Sequence, residues 1–407
     1  MLTFSTTTAA GNDVNSYIAR QFTQETGAKV QYEYYTSTSS EQSDILTSAT
    51  AHTGPDVFNL GFTEGPTAYA THAFVVLTKK DWAQLGGPGS IIPVQLTTVE
   101  ASPGQYIGVP DNITPHAMLY NTALFKQAHI SSPPATWTAF VQDAKKITAL
   151  GKGIYGTALD PSDPYDPWKI IWSVAAQDAG HLLSGNKKTV LLDSPKSVNA
   201  FQFYFNWYTK WHIVPPQSLT WQNTQEIAAF AKGEIGMVVN SSTSVDPELD
   251  TPTMKGKYAF APTPSVPYGM TALPKGGVPA ETLVSGQVLT IPKYANLQLA
   301  LDYVRVATRA ATELYVYKTD GFMPDNLDAL HQMEHAYPAT KPFAISALGG
   351  LALPFSSASG DIEVGMDAAL PKIAAKVATT GSASPAFITS VLKGENKAVQ
   401  QELNSAA

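Results

Sequence analysis

Two hydrophobic periods alternate along the start of the chain, and this alternation constrains the fold more than any other feature. Leu2 and Phe4 alternate with polar neighbours, as one face of a short strand does. After a turn at Gly11-Asn12-Asp13, the apolar residues Val14, Tyr17, Ile18 and Phe22 recur at helical spacing, and Gly27 is a stop signal. Ala28, Val30, Tyr32 and Tyr34 alternate again as a second strand. A helix around Ile45, Leu46 and Ala49 leads through Gly54-Pro55-Asp56 into a third strand at Val57-Phe58. This rhythm predicts an open α/β sheet with crossover helices.

The pattern continues downstream. Pro133-Pro134 precedes a helix with Trp137, Phe140, Val141, Ala144 and Ile147 on one face, ended by Gly151. Asp193 or Ser194 caps another helix, with Pro195 at its first position. Val198, Phe201, Phe205 and Tyr208 form its buried stripe, and Trp207 and Trp211 on the same helix read as packing residues. Ile227 and Phe230 sit on a short helix stopped at Gly233, and residues 236–240 read as a buried strand. Residues 251–279 are rich in Pro, Gly and Lys and read as a linker. A strand at 288–291 and a helix bearing Leu297, Ala300, Leu301 and Val304 follow, and the last third is helical by pattern. At 407 residues, two lobes are the natural expectation.

Composition removes whole classes of chemistry. The chain has no cysteine, which excludes a disulfide framework, a thiolate zinc site, an iron–sulfur cluster and a cysteine nucleophile. Net charge is −7, and the only arginines are Arg20, Arg305 and Arg309, so no basic face exists to neutralise nucleic-acid phosphates. A phosphorylated ligand recruits arginine forks or a Gly-rich helix N-terminus, and Gly86-Gly87-Pro88-Gly89 lacks the lysine of a P-loop. A neutral ligand is the expectation. No apolar stretch is long enough to span a bilayer. No basic n-region or apolar h-region precedes the first strand, so the chain either works in the cytoplasm or has lost an export signal.

Five segments, taken in order, resemble one family. Gly54-Pro55-Asp56-Val57-Phe58 follows the Thr26-Gly27-Ala28-Lys29-Val30 junction. Tyr106-Ile107-Gly108-Val109-Pro110 precedes Leu119-Tyr120-Asn121 and Leu124-Phe125. Pro134-Ala135-Thr136-Trp137 opens a helix, the run from Phe230 to Met237 comes later, and Gly321-Phe322-Met323-Pro324 follows the helix bearing Arg305. Together they resemble the extracellular solute-binding proteins of carbohydrate ABC importers, the maltose-binding-protein-like group. The resemblance implies a two-lobed periplasmic-binding-protein fold, each lobe an open α/β sheet flanked by helices, with the ligand cleft between. It implies an N-lobe of residues 1–110 and 260–312, a C-lobe of 111–259 and 313–407, and hinges near Pro110-Asp111 and Lys257. It further implies a monomer with no cofactor and no catalytic activity that delivers a saccharide to membrane permease subunits. The location implied is extracytoplasmic, periplasmic or as a cell-surface lipoprotein, with the export signal absent from this chain.

The same resemblance places the cleft at loops after strand ends. Sugars present hydroxyl edges and weakly apolar faces, so aromatic rings and bidentate polar groups there are the candidates. From the first lobe these are Thr7, Asn12, Asn59, Phe62 and Glu64, followed by Asp111 and Asn112 after the Val-Pro step. The proline-stiffened segment from Asp160 contributes Asp166, Trp168 and Trp172. Trp221 lies in a polar stretch, and Asn240, Ser242, Gly286 and Gln287 complete the set, with residues 355–361 also near the cleft. Asn59 and Asn240-Ser241-Ser242 stand where family members carry aromatic platforms, so the platforms must come from elsewhere in this chain.

Other readings compete. His331-Gln332-Met333-Glu334-His335 matches the His-x-x-Glu-His pattern of zinc peptidases, although the segment ends at Pro338 and offers no third ligand. A glycoside hydrolase needs two carboxylates across the scissile bond, and Asp111 with Asp166 would be such a pair. A phosphodiester or polyol, such as a glycerol phosphate derivative, is an alternative ligand. Iron binding through Tyr34-Tyr35 is disfavoured because both belong to an alternating strand.

Overall fold

The computed structural model describes the chain except residues 7–11, 36–37, 152, 165–166, 243–248, 250, 281–282 and 406–407. β1 (Leu2–Thr6), β2 (Val30–Tyr34) and β3 (Val57–Gly61) run parallel, with β1 in the middle. The Asp13–Thr26 helix makes the first crossover. Asn12 caps it by accepting from the backbone N–H groups of Val14 and Asn15, and Gly27 closes it in the left-handed conformation. The Thr38–Ala51 helix makes the second. Asp56 locks the turn into β3: its Oδ2 accepts from the Thr3 N–H at 2.8 Å, and its own N–H donates to the Thr3 carbonyl at 2.7 Å.

β4 (Glu100–Ser102) and β5 (Gln105–Tyr106) pair with each other, and β6 (Val109–Thr114) then enters the first sheet. Only after Thr114 does the chain leave it. β7 (Ala117–Asn121), β8 (Met237–Ser241) and β9 (Tyr258–Ala261) form a second, antiparallel sheet with β7 in the centre. β10 (Ser285–Thr290) returns and inserts antiparallel between β3 and β6, giving the order β2-β1-β3-β10-β6. The Pro110-Asp111 step therefore lies inside the first sheet, because β6 stays paired with β10, through a register shift at Asp111, as far as Thr114 opposite Ser285. Lys257 immediately precedes β9.

β9 falls inside the stretch expected as a linker. Tyr258 and Phe260 alternate there, but the period is too short to stand out from the flanking Lys, Gly and Pro, and pairing with β7 is what makes it a strand.

Each sheet buries both faces. Leu2, Phe4, Val57 and Leu289 pack with Val14, Ile18 and Phe22, and with the Leu297–Ala307 helix through Tyr303 and Val304. Phe58, Leu60, Val288 and Ile113 face the other way, against Ile92, Met323 and Phe343. In the second sheet Met118, Met237 and Val239 point to the largest core, built from the Trp137–Thr148, Pro167–Gln177, Pro195–Thr209, Ser359–Thr380 and Pro385–Ser405 helices. Ser194 caps the third of these, and Trp207 and Trp211 are buried in that core.

One buried amide ties that core to the returning chain. Trp137 Nε1 donates to Gln177 Oε1 at 2.7 Å, while Gln177 Nε2 donates to the carbonyls of Pro264 at 3.0 Å and Ala280 at 2.6 Å. Trp137 is fully buried and packs edge-on against Phe140 and Phe203. Trp137→Ala is expected to cost about 3–5 kcal/mol of stability, from lost packing and an orphaned Gln177 carbonyl. Urea denaturation checks this; a loss below about 1 kcal/mol would show that the site collapses around the gap.

Candidate ligand-binding site

A cavity of about 410 Å³ opens between the two sheets. Its first wall is built from strand ends and the loops after them: Gly61, Phe62 and Thr63 after β3, Asn112 and Thr114 on β6, and Ser285, Gly286 and Gln287 on β10. The opposing wall comes from the helices over the second sheet, through Trp168, Lys169, Ser359 and Glu363, and from the Leu353-Pro354-Phe355 segment. Tyr35, Glu41, Thr98 and Phe322 complete the lining.

Gly286 shows how closely the first wall is packed. Its φ is +150°, and a Cβ there would run into the Asn112 carbonyl and the Phe62 ring. Only glycine lets β10 pass at that point. Beside it, Asn112 Nδ2 donates to Gln287 Oε1 at 3.0 Å. Behind them, Asn59 Nδ2 donates to Asp111 Oδ2 at 3.0 Å, and the Tyr35 hydroxyl donates to the Asn59 carbonyl. Three buried polar atoms in this region, Asn59 Oδ1, Asn112 Oδ1 and Trp168 Nε1, have no protein partner among the described residues. Buried groups of that kind are normally satisfied, by protein, water or ligand.

Of the residues expected in the site, Phe62, Asn112, Trp168, Gly286 and Gln287 meet on this cavity. Asn59 and Asp111 support it from one layer behind. Glu64 is fully buried against the start of the Ser359–Thr380 helix and is not part of the lining. Asn12 is a helix cap, and its Nδ2 donates to Asp320 Oδ2 at 3.1 Å. Trp172 packs into the large core, and Trp221 lies half-buried against Ile227 and Phe230. Asn240 ends up in β8 with φ +62°, a left-handed conformation that asparagine tolerates, and Ser242 follows the strand. Neither lines the cavity. Thr7 and Asp166 lie outside the described residues. Asp160, at the head of the proline-stiffened segment, accepts from the Tyr204 hydroxyl at 2.8 Å.

Sequence reasoning missed Tyr35, Glu41, Thr98, Phe322 and Glu363. Tyr35 enters the sequence reading only as half of a tyrosine pair for iron; it is buried, and its hydroxyl braces β3. Glu363 shares a helix face with Ser359 four residues earlier, a spacing that could have flagged it. Glu41 carries no local signal, since it reaches the cavity only because the Thr38–Ala51 helix crosses over β3. Elsewhere, His331 and His335 lie exposed on the Leu327–Ala336 helix, and no group of three or more His, Asp or Glu among the described residues is placed to hold a metal ion.

The comparisons agree with this architecture. The family model for bacterial extracellular solute-binding proteins matches residues 17–342. The chain belongs to that family, one of solute-binding proteins rather than enzymes. Among curated relatives, a binding protein of Brucella abortus (strain 2308) is 24% identical over 229 residues, 55% of this chain and 51% of its own length. The chain thus spans about half the length of the curated relatives it matches. Among solved structures, maltose-bound MalE3 of T. maritima superposes with a TM-score of 0.78 at 21% identity, covering 98% of this chain and 99% of that one. The sugar-binding protein MalE of Xanthomonas citri gives 0.77 at 17% identity, covering 99% and 97%. A Listeria monocytogenes substrate-binding protein in complex with cycloalternan gives 0.76 at 15% identity, covering 99% and 98%. The fold is that of the two-lobed periplasmic binding proteins.

Burial pushes the Asp111 carboxyl up to about 6, against the hydrogen bonds from Asn59 and Asn112 that favour its charged form. A carboxyl raised in the folded state contributes stability that is complete below its unfolded value of about 3.9 and is lost as pH rises through about 6. Asp111→Asn fixes the neutral form. It is expected to exceed the wild type in stability at about pH 8 by on the order of 1 kcal/mol and to match it near about pH 4. Thermal melts at both pH values check this; an offset independent of pH would assign the change to packing instead.

Proposed function

We propose that this protein is the substrate-binding component of an ABC importer and captures a neutral di- or oligosaccharide between its lobes by hinge closure. The observation that carries the reading is the cavity itself. Its volume suits a small ligand, and its lining combines the aromatic residues Phe62, Trp168, Phe322 and Phe355 with the amide residues Asn112 and Gln287. Saccharide hydroxyls are both donors and acceptors, so they suit the unpartnered Asn112 Oδ1 and Trp168 Nε1. None of the three arginines lines the cavity, which favours an uncharged ligand over a phosphodiester. The sugars held by the structural neighbours point the same way.

The lobe division proposed is residues 1–110 with 260–312 against 111–259 with 313–407. In its support, the first sheet draws on β1–β3, β6 and β10, the second on β7–β9, and the two last helices pack on the second. β6 straddles the first boundary, the Ala310–Asp320 helix, which packs on the Asp13–Thr26 helix, straddles the last, and the Leu327–Ala336 and Lys341–Gly349 helices pack on the first sheet through Leu330, Met333 and Phe343. Ligand bound between the lobes stabilises the closed state by its differential affinity, and the closed clamp is the form delivered to membrane permease subunits. The protein acts as a monomer outside the cytoplasm, in the periplasm or as a cell-surface lipoprotein.

A thermal-shift screen against mono- and oligosaccharides tests the reading. A cognate sugar at a hundred times its Kd adds about 2.7 kcal/mol of stability. If no sugar moves the melt while amino acids, polyamines or phosphodiesters do, the saccharide assignment fails. With the sugar found, Asn112→Ala is expected to weaken binding about tenfold, as read by titration calorimetry, and also to lower the ligand-free melt, because Gln287 and Asp111 each lose a hydrogen bond. Unchanged affinity would remove Asn112 from the site.

A further inference from the structure

Three carboxyl groups from opposite sides of the cleft meet at one edge of the cavity. Glu41 lies on the Thr38–Ala51 helix and Glu64 follows β3, both on the first-sheet side. Glu363 lies on the Ser359–Thr380 helix, which packs over the second sheet. The Glu64 carboxyl abuts the start of that helix so closely that a Cβ at Gly360 would collide with Glu64 Oε1 and come within 2.8 Å of Gln42 Nε2. Only a residue without a side chain permits this approach. Beside it, Thr63 Oγ1 donates to Glu363 Oε2 at 2.6 Å across the same seam. Glu64 Oε1 accepts from Gln42 Nε2 at 3.2 Å, while its Oε2 is buried without a partner among the described residues. Glu41 Oε1 accepts from the Gly61 N–H at 2.8 Å.

We propose that this seam is a proton-dependent latch: the lobes close on protonated carboxyls, and rising pH drives them apart. Burial, followed by the neighbouring Glu363, pushes Glu64 up to about 8. Burial also pushes Glu41 well above the usual carboxylate range, with Glu64 the next cause and Glu363 a smaller one. Asp361, on the same helix as Glu363, adds to the effect on Glu64 and is itself raised by burial and by Glu402 on the last helix. Tyr35, after β2, hydrogen-bonds Glu41 and works in the opposite direction. From the Pro167–Gln177 helix comes Lys169, the one cation among the described cavity-lining residues, so acid outnumbers base at the seam. Asp44, farther along the Glu41 helix, is raised by burial alone.

The sign follows from the two states. In the open clamp these carboxyls meet water and return toward about 4.3, so closure raises their pKa values. A group raised by closure favours the closed state fully below its open-state value, and that advantage is lost as pH rises through about 8. Across that range the closed-to-open ratio falls about tenfold per pH step of one for each proton released.

The latch rests on the hinge-closure reading but not on the identity of the ligand, so it is tested on ligand-free protein. Small-angle X-ray scattering is recorded at about pH 4 and about pH 9, on either side of the expected transition. Circular dichroism confirms at each pH that the chain is folded. The wild type is expected to have a larger radius of gyration at high pH, and Glu64→Gln, which fixes a neutral carboxamide, to show a smaller increase. Glu363→Gln serves as an independent variant, with the pH response reduced. An unchanged wild-type radius, or Gln variants that open with pH as the wild type does, overturns the proposal. That outcome leaves a sugar-induced melt shift intact, whereas a missing sugar shift beside a pH-dependent radius rejects only the ligand assignment.

Discussion

The insertion of β10 between β3 and β6 is the pairing on which the rest of the molecule depends. Without it, β3 and β6 would each present an unpaired edge, and Asn112 would lose Gln287, its partner 175 residues away. The whole second sheet is an excursion of the chain between β6 and β10. Two lobes are therefore a result of sheet topology rather than of a linker. The same insertion delivers Ser285, Gly286 and Gln287 to the cavity, so the strand that completes the first sheet also builds one cavity wall. Contacts at such separation carry a large loop-closure cost, which the second sheet reduces by holding the excursion compact.

Local physics makes much of this legible from the residues alone. The crossover helix at 13–26, the Pro195 helix with its Ser194 cap and the buried stripes of both follow from periodicity and capping. β9 does not stand out, because a four-residue strand has too few alternations to outweigh Lys, Gly and Pro on either side. The site divides in the same way. Phe62 follows the end of β3, where an open sheet places its crevice, and is legible as such, whereas Asn112 and Gln287 lie within β6 and β10 and reach the cavity only because those two strands pair. Glu41 and Glu64 acquire their character from burial first and from neighbouring carboxyls second. Nothing within a few residues of Glu64 marks it as a carboxyl that will be enclosed by a helix some three hundred residues later.

Aromatic residues in the aspartate- and proline-rich segment are the strongest sequence signal for a ligand, and the structure separates their roles. Trp172 fills the core, and Trp221 covers a smaller cluster on the other face of the second sheet. Asp160 spends its carboxyl on Tyr204. A ring in a polar, proline-stiffened stretch thus indicates an ordered turn, and whether the ring faces ligand or core depends on the helix that follows. The Pro167–Gln177 helix turns Trp168 and Lys169 toward the cavity and sends Gln177 inward to hold the returning chain.

Trp168 belongs at once to the largest core and to the cavity wall, and only 1% of its surface reaches solvent. Its indole N–H has no partner among the described residues. The other six of the seven tryptophans lie away from the cavity lining. Indole emission depends on the polarity and hydrogen bonding around the ring, and here one ring borders the cavity while the other six do not. The fold has in effect placed a fluorophore in the cavity wall, so that a molecule filling the cavity would alter the protein's intrinsic light without any added label.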